Sequence, residues 1–284
     1  CGVPKLCTHS WYLDPSRIRV APQKSQSHMQ VATWNVNSVR ARLPRLLDWL
    51  ERRKPDVVML QETKCLDEAF PWEPIQDAGY QCVHFGQKTY NGVAILARRR
   101  IEDVRRGMQG GDSPDEERRV IAATVEDLLL INVYVINGQE VGAPRYFDKL
   151  AFLSELRGWI QKHFDFREKI VLAGDFNITF DDRDVHDPKA WHEKILCSTP
   201  ERHALEEVTS LGFHDAFRKF HKDGGHYTWW DFRTNGFKRG QGLRIDHLLM
   251  SEPALQSCEK VEIDLEARDG EKPSDHAPVI ATLA

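Results

Sequence analysis

The chain has 284 residues, a formal net charge of −4, 41% hydrophobic residues and 29% charged ones. Its longest apolar runs, such as 57–60 and 128–131, are far too short to span a bilayer. No global excess of positive charge marks a nucleic-acid binder, so a polyanionic ligand would have to meet a local basic surface.

The six cysteines (Cys1, Cys7, Cys65, Cys82, Cys197, Cys258) are scattered and form no C-x-x-C pair. This points away from a zinc site or disulfide framework and toward reduced thiols in a cytoplasmic protein. Residues 1–28 carry Pro4, Pro15 and Pro22, four basic residues against one acid, and no sustained periodicity. They read as a flexible N-terminal extension, native or added, with the folded domain running from Met29 to Ala284.

From Met29 the pattern alternates between strand and helix. A short strand is expected over 30–34. Ser38 can cap a helix carrying Leu43, Leu46, Leu47 and Leu50, which Pro55 stops. A buried strand over 56–61 runs into Glu62. Strands over 80–85 and 92–97 flank an Asn91-Gly92 turn. The segments 120–125 and 128–135 form a hairpin turning at Glu126-Asp127. Pro144 opens a long helix to about Phe164, with Phe147, Leu150, Leu153 and Ile160 near one face. A strand over 169–173 delivers Asp175, and Thr199-Pro200-Glu201 starts a helix closed by Gly212. Strands over 226–230, 243–250 and 277–283 complete the chain. Several strands are apolar on consecutive residues, as strands covered on both faces are. The expected fold is a single α/β domain in which two sheets pack face to face with helices outside.

Four polar clusters end these strands: Trp34-Asn35-Val36-Asn37, Gln61-Glu62-Thr63-Lys64, Gly174-Asp175-Phe176-Asn177 and Ser274-Asp275-His276-Ala277. Carboxylates suit a hard divalent cation, amides orient oxygens, and an imidazole can face a phosphate. Glu62 alone would more often be a surface cap; beside Asn35 and Asn37 a cation site becomes reasonable. Asp175 and Asn177, two apart in an extended tract, face the same way and suit the holding of a water. Asp246, set among Leu, Ile and Met, must be paired to be tolerated, and His276 is the candidate partner. Tyr134 ends its strand either as a core tyrosine or as a phosphate contact. The segment Tyr227-Thr228-Trp229-Trp230-Asp231-Phe232-Arg233 mixes aromatics with cations, which fits either a core Trp pair or stacking against nucleic acid. Arg98-Arg99-Arg100, with Arg105 and Arg106, read as a solvated edge.

Together with Leu243-Arg244-Ile245-Asp246 and Pro278-Val279, these motifs resemble the bacterial exonuclease III branch of the apurinic/apyrimidinic endonucleases, in the same order from about Met29 to the C-terminus. The resemblance implies a four-layer α/β sandwich of two mixed β-sheets flanked by helices. It implies a Mg²⁺-dependent phosphodiesterase, with Mn²⁺ as a substitute, that incises double-stranded DNA 5′ to abasic sites. It also implies cleaning of blocked 3′ ends and a 3′-to-5′ exonuclease activity; a monomer that binds no membrane is the separate expectation for partners. Carried over residue by residue, Glu62 is the principal metal ligand with Asn37 and Asp275 nearby. Asn35 and Asn177 orient Asp175 and the phosphate, Asp175 handles the proton of the water or leaving group, and Asp246 and His276 form a pair. Tyr134 is the site tyrosine, Trp229 packs by the abasic sugar, and Lys64, Asn137 and Arg244 belong to substrate binding.

Two rivals share parts of this pattern. Sphingomyelinases, inositol-polyphosphate phosphatases and non-specific DNases carry similar Gly-Asp-Phe-Asn and Ser-Asp-His motifs, but Gln61-Glu62-Thr63-Lys64 and the aromatic segment favour DNA repair. A non-catalytic DNA-binding protein would have little reason to keep so many buried acids.

Overall fold

The computed structural model describes residues 28–109 and 117–284. The extension expected over 1–28 therefore lies, His28 apart, outside the described residues. In chain order the elements are β1 (Met29–Asn35), α1 (Leu43–Arg53), β2 (Val57–Gln61), α2 (Trp72–Asp77), β3 (Gln81–Phe85), β4 (Val93–Ala97), β5 (Ile101–Arg106), β6 (Val120–Val125), β7 (Leu128–Tyr134), α3 (Pro144–His163), β8 (Lys169–Asp175), α4 (Pro188–Trp191), α5 (Thr199–Thr209), β9 (Phe213–Asp215), α6 (Ala216–Phe220), β10 (Trp229–Trp230), β11 (Gly242–Leu243), β12 (Asp246–Ser251), α7 (Glu252–Ser257), β13 (Cys258–Ile263) and β14 (Val279–Leu283).

Two six-stranded mixed sheets, ordered β13-β14-β1-β2-β4-β3 and β5-β6-β7-β8-β12-β9, face each other. Side chains alternate across each strand, so every central strand feeds two cores. Val31, Met59, Ile95, Leu130, Val171, Leu248 and Met250 fill the space between the sheets. From the opposite faces, Trp34, Leu60 and Leu96 pack under α1 and α2 with Leu46, Leu50 and Ile75. Ile131, Leu172 and Leu249 pack under α3 and α5 with Leu153, Leu156, Ile160, Leu205 and Val208. The unbroken apolar runs of β2, β4, β7 and β8 follow from this double coverage. The result is the expected four-layer sandwich.

Several boundaries differ from the sequence expectation. Ser38, at φ 86, caps the turn over 39–42 rather than the helix itself, its Oγ accepting from Ala41 N–H at 3.3 Å; α1 starts at Leu43 with Pro44 in its first turn. Its end is set by Lys54 in the left-handed region. Phe147 lies 60% exposed, because the buried stripe of α3 runs through Tyr146, Lys149, Leu153, Leu156 and Ile160 instead. The arginine-rich edge contains a strand: Arg105 and Arg106 lie in β5, an edge strand of exposed polar and half-buried apolar residues. α7 and β13 were not anticipated. The strand expected over 243–250 is broken at Arg244-Ile245, and that break has consequences for the site.

Candidate active site

Strand register assembles the site before any side chain is considered. β1 and β2 run parallel with Asn35 level with Gln61, so Glu62 leaves the first sheet beside Asn35. In the second sheet Tyr134 is level with Asp175 on β8, and Asp175 is level with Asp246 on β12. Residues level on neighbouring strands point to the same face. Tyr134, Asp175 and Asp246 therefore form one row, opposed by Asn35 and Glu62 from the facing sheet. Asp275 and His276 arrive on the segment leading into β14.

The Asn35 amide bridges the two sheets, donating to Glu62 Oε1 at 2.9 Å and to Asp175 Oδ2 at 2.9 Å. Tyr134 donates its hydroxyl to Glu62 Oε1 at 2.8 Å. The Lys64 ammonium lies 2.6 Å from Glu62 Oε2 and 2.7 Å from Asn37 Oδ1. Asn37 in turn donates to Asp275 Oδ1 at 2.9 Å, and the Trp229 indole donates to Asp275 Oδ2 at 3.1 Å. His276 Nδ1 lies 2.8 Å from Asp246 Oδ2, and its Nε2 faces Asp175 Oδ2 at 3.7 Å. Asn177 donates its main-chain N–H to Asp175 Oδ1 at 2.9 Å and receives the Asn137 amide on its Oδ1 at 2.9 Å. Asn37, Ser38, Glu62, Lys64 and Asn177 all hold positive φ, a concentration of uncommon backbone typical of functional loops.

Burial and neighbouring charge separate the protonation behaviour of these groups. Burial, with the nearby acids Asp246 and Glu62, pushes Asp175 up to about 7 against the opposing effect of His276. Burial works against a charged His276, but Asp246 and Asp175 outweigh it and hold the imidazole protonated to about 10. Glu62 is held below the ordinary carboxylate range: burial raises it, and Lys64 and the Asn35 hydrogen bond more than compensate. Burial and the adjacent Glu62 and Asp175 keep the Tyr134 hydroxyl protonated.

Four acids (Glu62, Asp175, Asp246, Asp275) thus meet two cations (Lys64, His276). Oxygen atoms of Glu62 and Asp175 and a ring nitrogen of His276 lie within 4.8 Å of one another. His276 is committed to Asp246 and protonated, so the donor set left for a metal is oxygen, which fits a hard divalent cation. Glu62, Asn37 and Asp275, the expected ligands, lie in one chain of contacts through Lys64. Asp246 Oδ1 is buried without a hydrogen-bond partner.

Of the residues singled out from sequence, Arg244 alone lies apart. It is 1% exposed. Its Nε and Nη2 donate to Asp184 at 2.7 and 3.0 Å, Nη2 also to Asp215 at 2.7 Å, and Nη1 lies 3.1 Å from His247 Nδ1. Its assignment to substrate binding is corrected: the break before β12 turns it inward, and its donors are spent inside the protein.

Supporting residues escaped the sequence reading. Ser274 Oγ donates to the Asn35 carbonyl at 2.6 Å and accepts from His276 N–H. Thr228 Oγ1 accepts from the N–H groups of Ile245 and Asp246. Thr63 Oγ1 contacts His84 Nε2 at 2.8 Å, and His84 Nδ1 lies 2.7 Å from Asp67, bracing the left-handed turn around Glu62. Ser274 and Thr63 were inside the quoted motifs; His84 gave no sequence signal.

Comparison with known proteins agrees with this geometry. The profile of the Endonuclease/Exonuclease/phosphatase family matches residues 32–276. Exodeoxyribonuclease III of Haemophilus influenzae is 37% identical over 265 residues, spanning 89% of this chain and 99% of that protein. The structure of a 3′ phosphatase from Neisseria bound to a product DNA hairpin superposes with a TM-score of 0.86 at 43% identity, covering 90% of this chain and 99% of that one. An AP endonuclease from Archaeoglobus fulgidus superposes equally well, at a TM-score of 0.86, 36% identity and the same coverage.

Proposed function

Because the chain belongs to the Endonuclease/Exonuclease/phosphatase family, a family of metal-dependent hydrolases, we propose that it is a Mg²⁺-dependent DNA repair nuclease. On this reading it cuts double-stranded DNA 5′ to abasic sites, clears blocked 3′ ends and degrades strands 3′ to 5′, with Mn²⁺ able to replace Mg²⁺. The observation that carries the reading is the Asp175 carboxylate, fixed on one oxygen by Asn177 N–H and on the other by Asn35, beside a protonated His276. The relatives named an exodeoxyribonuclease, a 3′ phosphatase and an AP endonuclease support a nuclease role.

Glu62, with Asn37 and Asp275, would hold the cation, which when bound supplies positive charge at the scissile phosphate. Asp175, poised near neutrality, takes a proton from the attacking water as the oxygen–phosphorus bond forms. The bond from phosphorus to the 3′-oxygen of the preceding nucleotide breaks, that oxygen takes up a proton from solvent to become the 3′-hydroxyl, and Asp175 returns its proton to solvent. The His276 imidazolium and the Asn35 amide stabilise charge on the phosphate, an effect of about 3–4 kcal/mol per donor in comparable sites. Asp246 fixes the His276 ring through Nδ1. Asn177 and Asn137 orient water and phosphate, Lys64 and Tyr134 position Glu62, and Trp229, half-buried beside Asp275, packs against the sugar. An abasic nucleotide enters such a pocket cheaply, having no base to unstack. Phosphate contacts, not base edges, hold the duplex. We further propose a cytoplasmic monomer, in keeping with free thiols at Cys65, Cys82, Cys197 and Cys258.

The test is a labelled duplex with one tetrahydrofuran abasic analogue and a second duplex ending in a 3′-phosphate, each with Mg²⁺. A single cut 5′ to the analogue and loss of the 3′-phosphate are expected. If neither substrate changes while the duplex is still bound, the enzyme reading is wrong.

A further inference from the structure

Lys149 is a cation buried in the middle of the molecule, on the inner stripe of α3, and the chemistry above makes no use of it. Its side chain and that of Glu201, with which it pairs, are both 0% exposed. The ammonium has three protons and three acceptors: the Asn177 carbonyl at 2.6 Å, the Asn137 carbonyl at 3.2 Å, and Glu201 Oε1. Glu201 is itself saturated. Its Oε1 accepts from Leu196 N–H, and its Oε2 accepts from Ser198 N–H at 3.1 Å and Ser198 Oγ at 2.6 Å, while Ser198 Oγ lies 2.9 Å from the Tyr146 hydroxyl. Lys149 therefore ties the main chain of two separate loops to one rigid anchor on α5.

Those loops carry Asn137 and Asn177, whose side chains are hydrogen-bonded to each other and whose line continues through Asn177 N–H to Asp175. Asn177 sits at φ 52 and Gly138 at φ 93, so neither loop is held by regular structure at this point. A buried ion pair is a poor way to gain stability, since well-packed apolar residues of similar volume often do as well or better. What the pair does supply is direction: a single ammonium fixes two carbonyls relative to each other.

We propose that Lys149, backed by Glu201, is a positioning residue for the reaction. It acts through the carbonyls of Asn137 and Asn177 to set both amides and, through them, the Asp175 carboxylate. The inference rests on the nuclease reading given above.

Lys149→Met alone would leave Glu201 buried and unpaired, so the informative protein is the double variant K149M/E201Q, which removes both charges and keeps the volume. Its thermal unfolding, its affinity for the abasic duplex and its steady-state kcat and KM for cleavage are measured beside the wild-type protein. The expected result is a folded protein with duplex affinity and KM within about twofold of wild type and kcat reduced by up to ~100-fold, the scale of a misplacement of about 1 Å. A folded double variant with wild-type kcat would reduce Lys149 to a structural pin and overturn the proposal. If the double variant does not fold, Glu201→Asp decides: it keeps the ion pair and withdraws the carboxylate by one methylene. A lowered kcat at unchanged KM supports the proposal and an unchanged kcat overturns it. Absence of cleavage by the wild-type protein in the same assay would instead count against the nuclease reading.

Discussion

Two buried charge clusters flank the start of β12, only two residues apart in sequence, and they are built to opposite specifications. Arg244 and Arg218 face Asp184 and Asp215, two cations against two acids, with the Arg244 guanidinium hydrogen-bonded on every nitrogen. Asp246 opens the other cluster, where four acids face Lys64 and His276 and one Asp246 oxygen has no partner. In the balanced cluster Arg244 stays charged at any ordinary pH: burial opposes the charge, and Asp215 and Asp184 overcome it. In the acid-rich cluster Asp175 is pushed to about 7. A cluster balanced in charge fixes structure, even with Arg218 Nε left without a partner. An unbalanced one stores unmet demand for positive charge, which a cation and a phosphate transition state can answer.

The comparison is sharpened by breaking each cluster in turn. Asp175→Asn should lower single-turnover cleavage by ~10³-fold or more, the range of a lost acid–base group, while duplex binding measured by anisotropy stays near wild type. Near-normal turnover would remove Asp175 from the mechanism. Arg244→Met should do the reverse, costing about 3–5 kcal/mol in urea unfolding because buried Asp215 loses its ion-pair partner and Asp184 keeps only Arg218. A cost below about 1 kcal/mol, the worth of a surface pair, would contradict the structural role given to it. Glu62→Gln should slow cleavage about a hundredfold, the scale of one lost electrostatic contact, and move the Mg²⁺ titration to higher concentration; an unchanged titration would place the cation elsewhere.

The smallest effect is a pH dependence in the balanced cluster. Burial raises the pKa of Asp215, but Arg244 and His247 outweigh it and hold the carboxyl below its ordinary range. Its stabilising contribution is therefore present above the unfolded pKa of ~3.9 and is lost as pH falls through the lower folded value. Asp215→Asn should cost about 1–3 kcal/mol at pH 7, and the gap from wild type should close in acid. A gap that stayed constant down to pH 3 would show that Asp215 acts through packing rather than charge.

Most of the site was legible because its residues end apolar strands, where a polar residue stands out. Asn35, Glu62, Tyr134 and Asp175 all do so, Asp246 stands out as an acid among Leu, Ile and Met, and strand register then brings them together. Arg244 was misplaced because adjacency to Asp246 says nothing about which way a side chain turns once the strand is broken. Lys149 looks like an ordinary helical lysine until its spacing is set beside Tyr146, Leu153, Leu156 and Ile160, which puts it on the buried stripe. β5 was hidden by charge: of IEDVRR only Ile101 and Val104 are apolar, three apart rather than alternating, and both are half-buried. The four layers were readable from doubly apolar strands. The support from His84 depends on contacts between residues distant in sequence, which no local pattern records.

The most direct test of the acid-rich cluster as a cation-dependent catalytic site is the rate of cleavage of an abasic duplex across a Mg²⁺ titration beginning in EDTA. No cutting in EDTA, with a saturable rise to a single product 5′ to the lesion, is the result this account predicts. Cutting at the same rate in EDTA would contradict it.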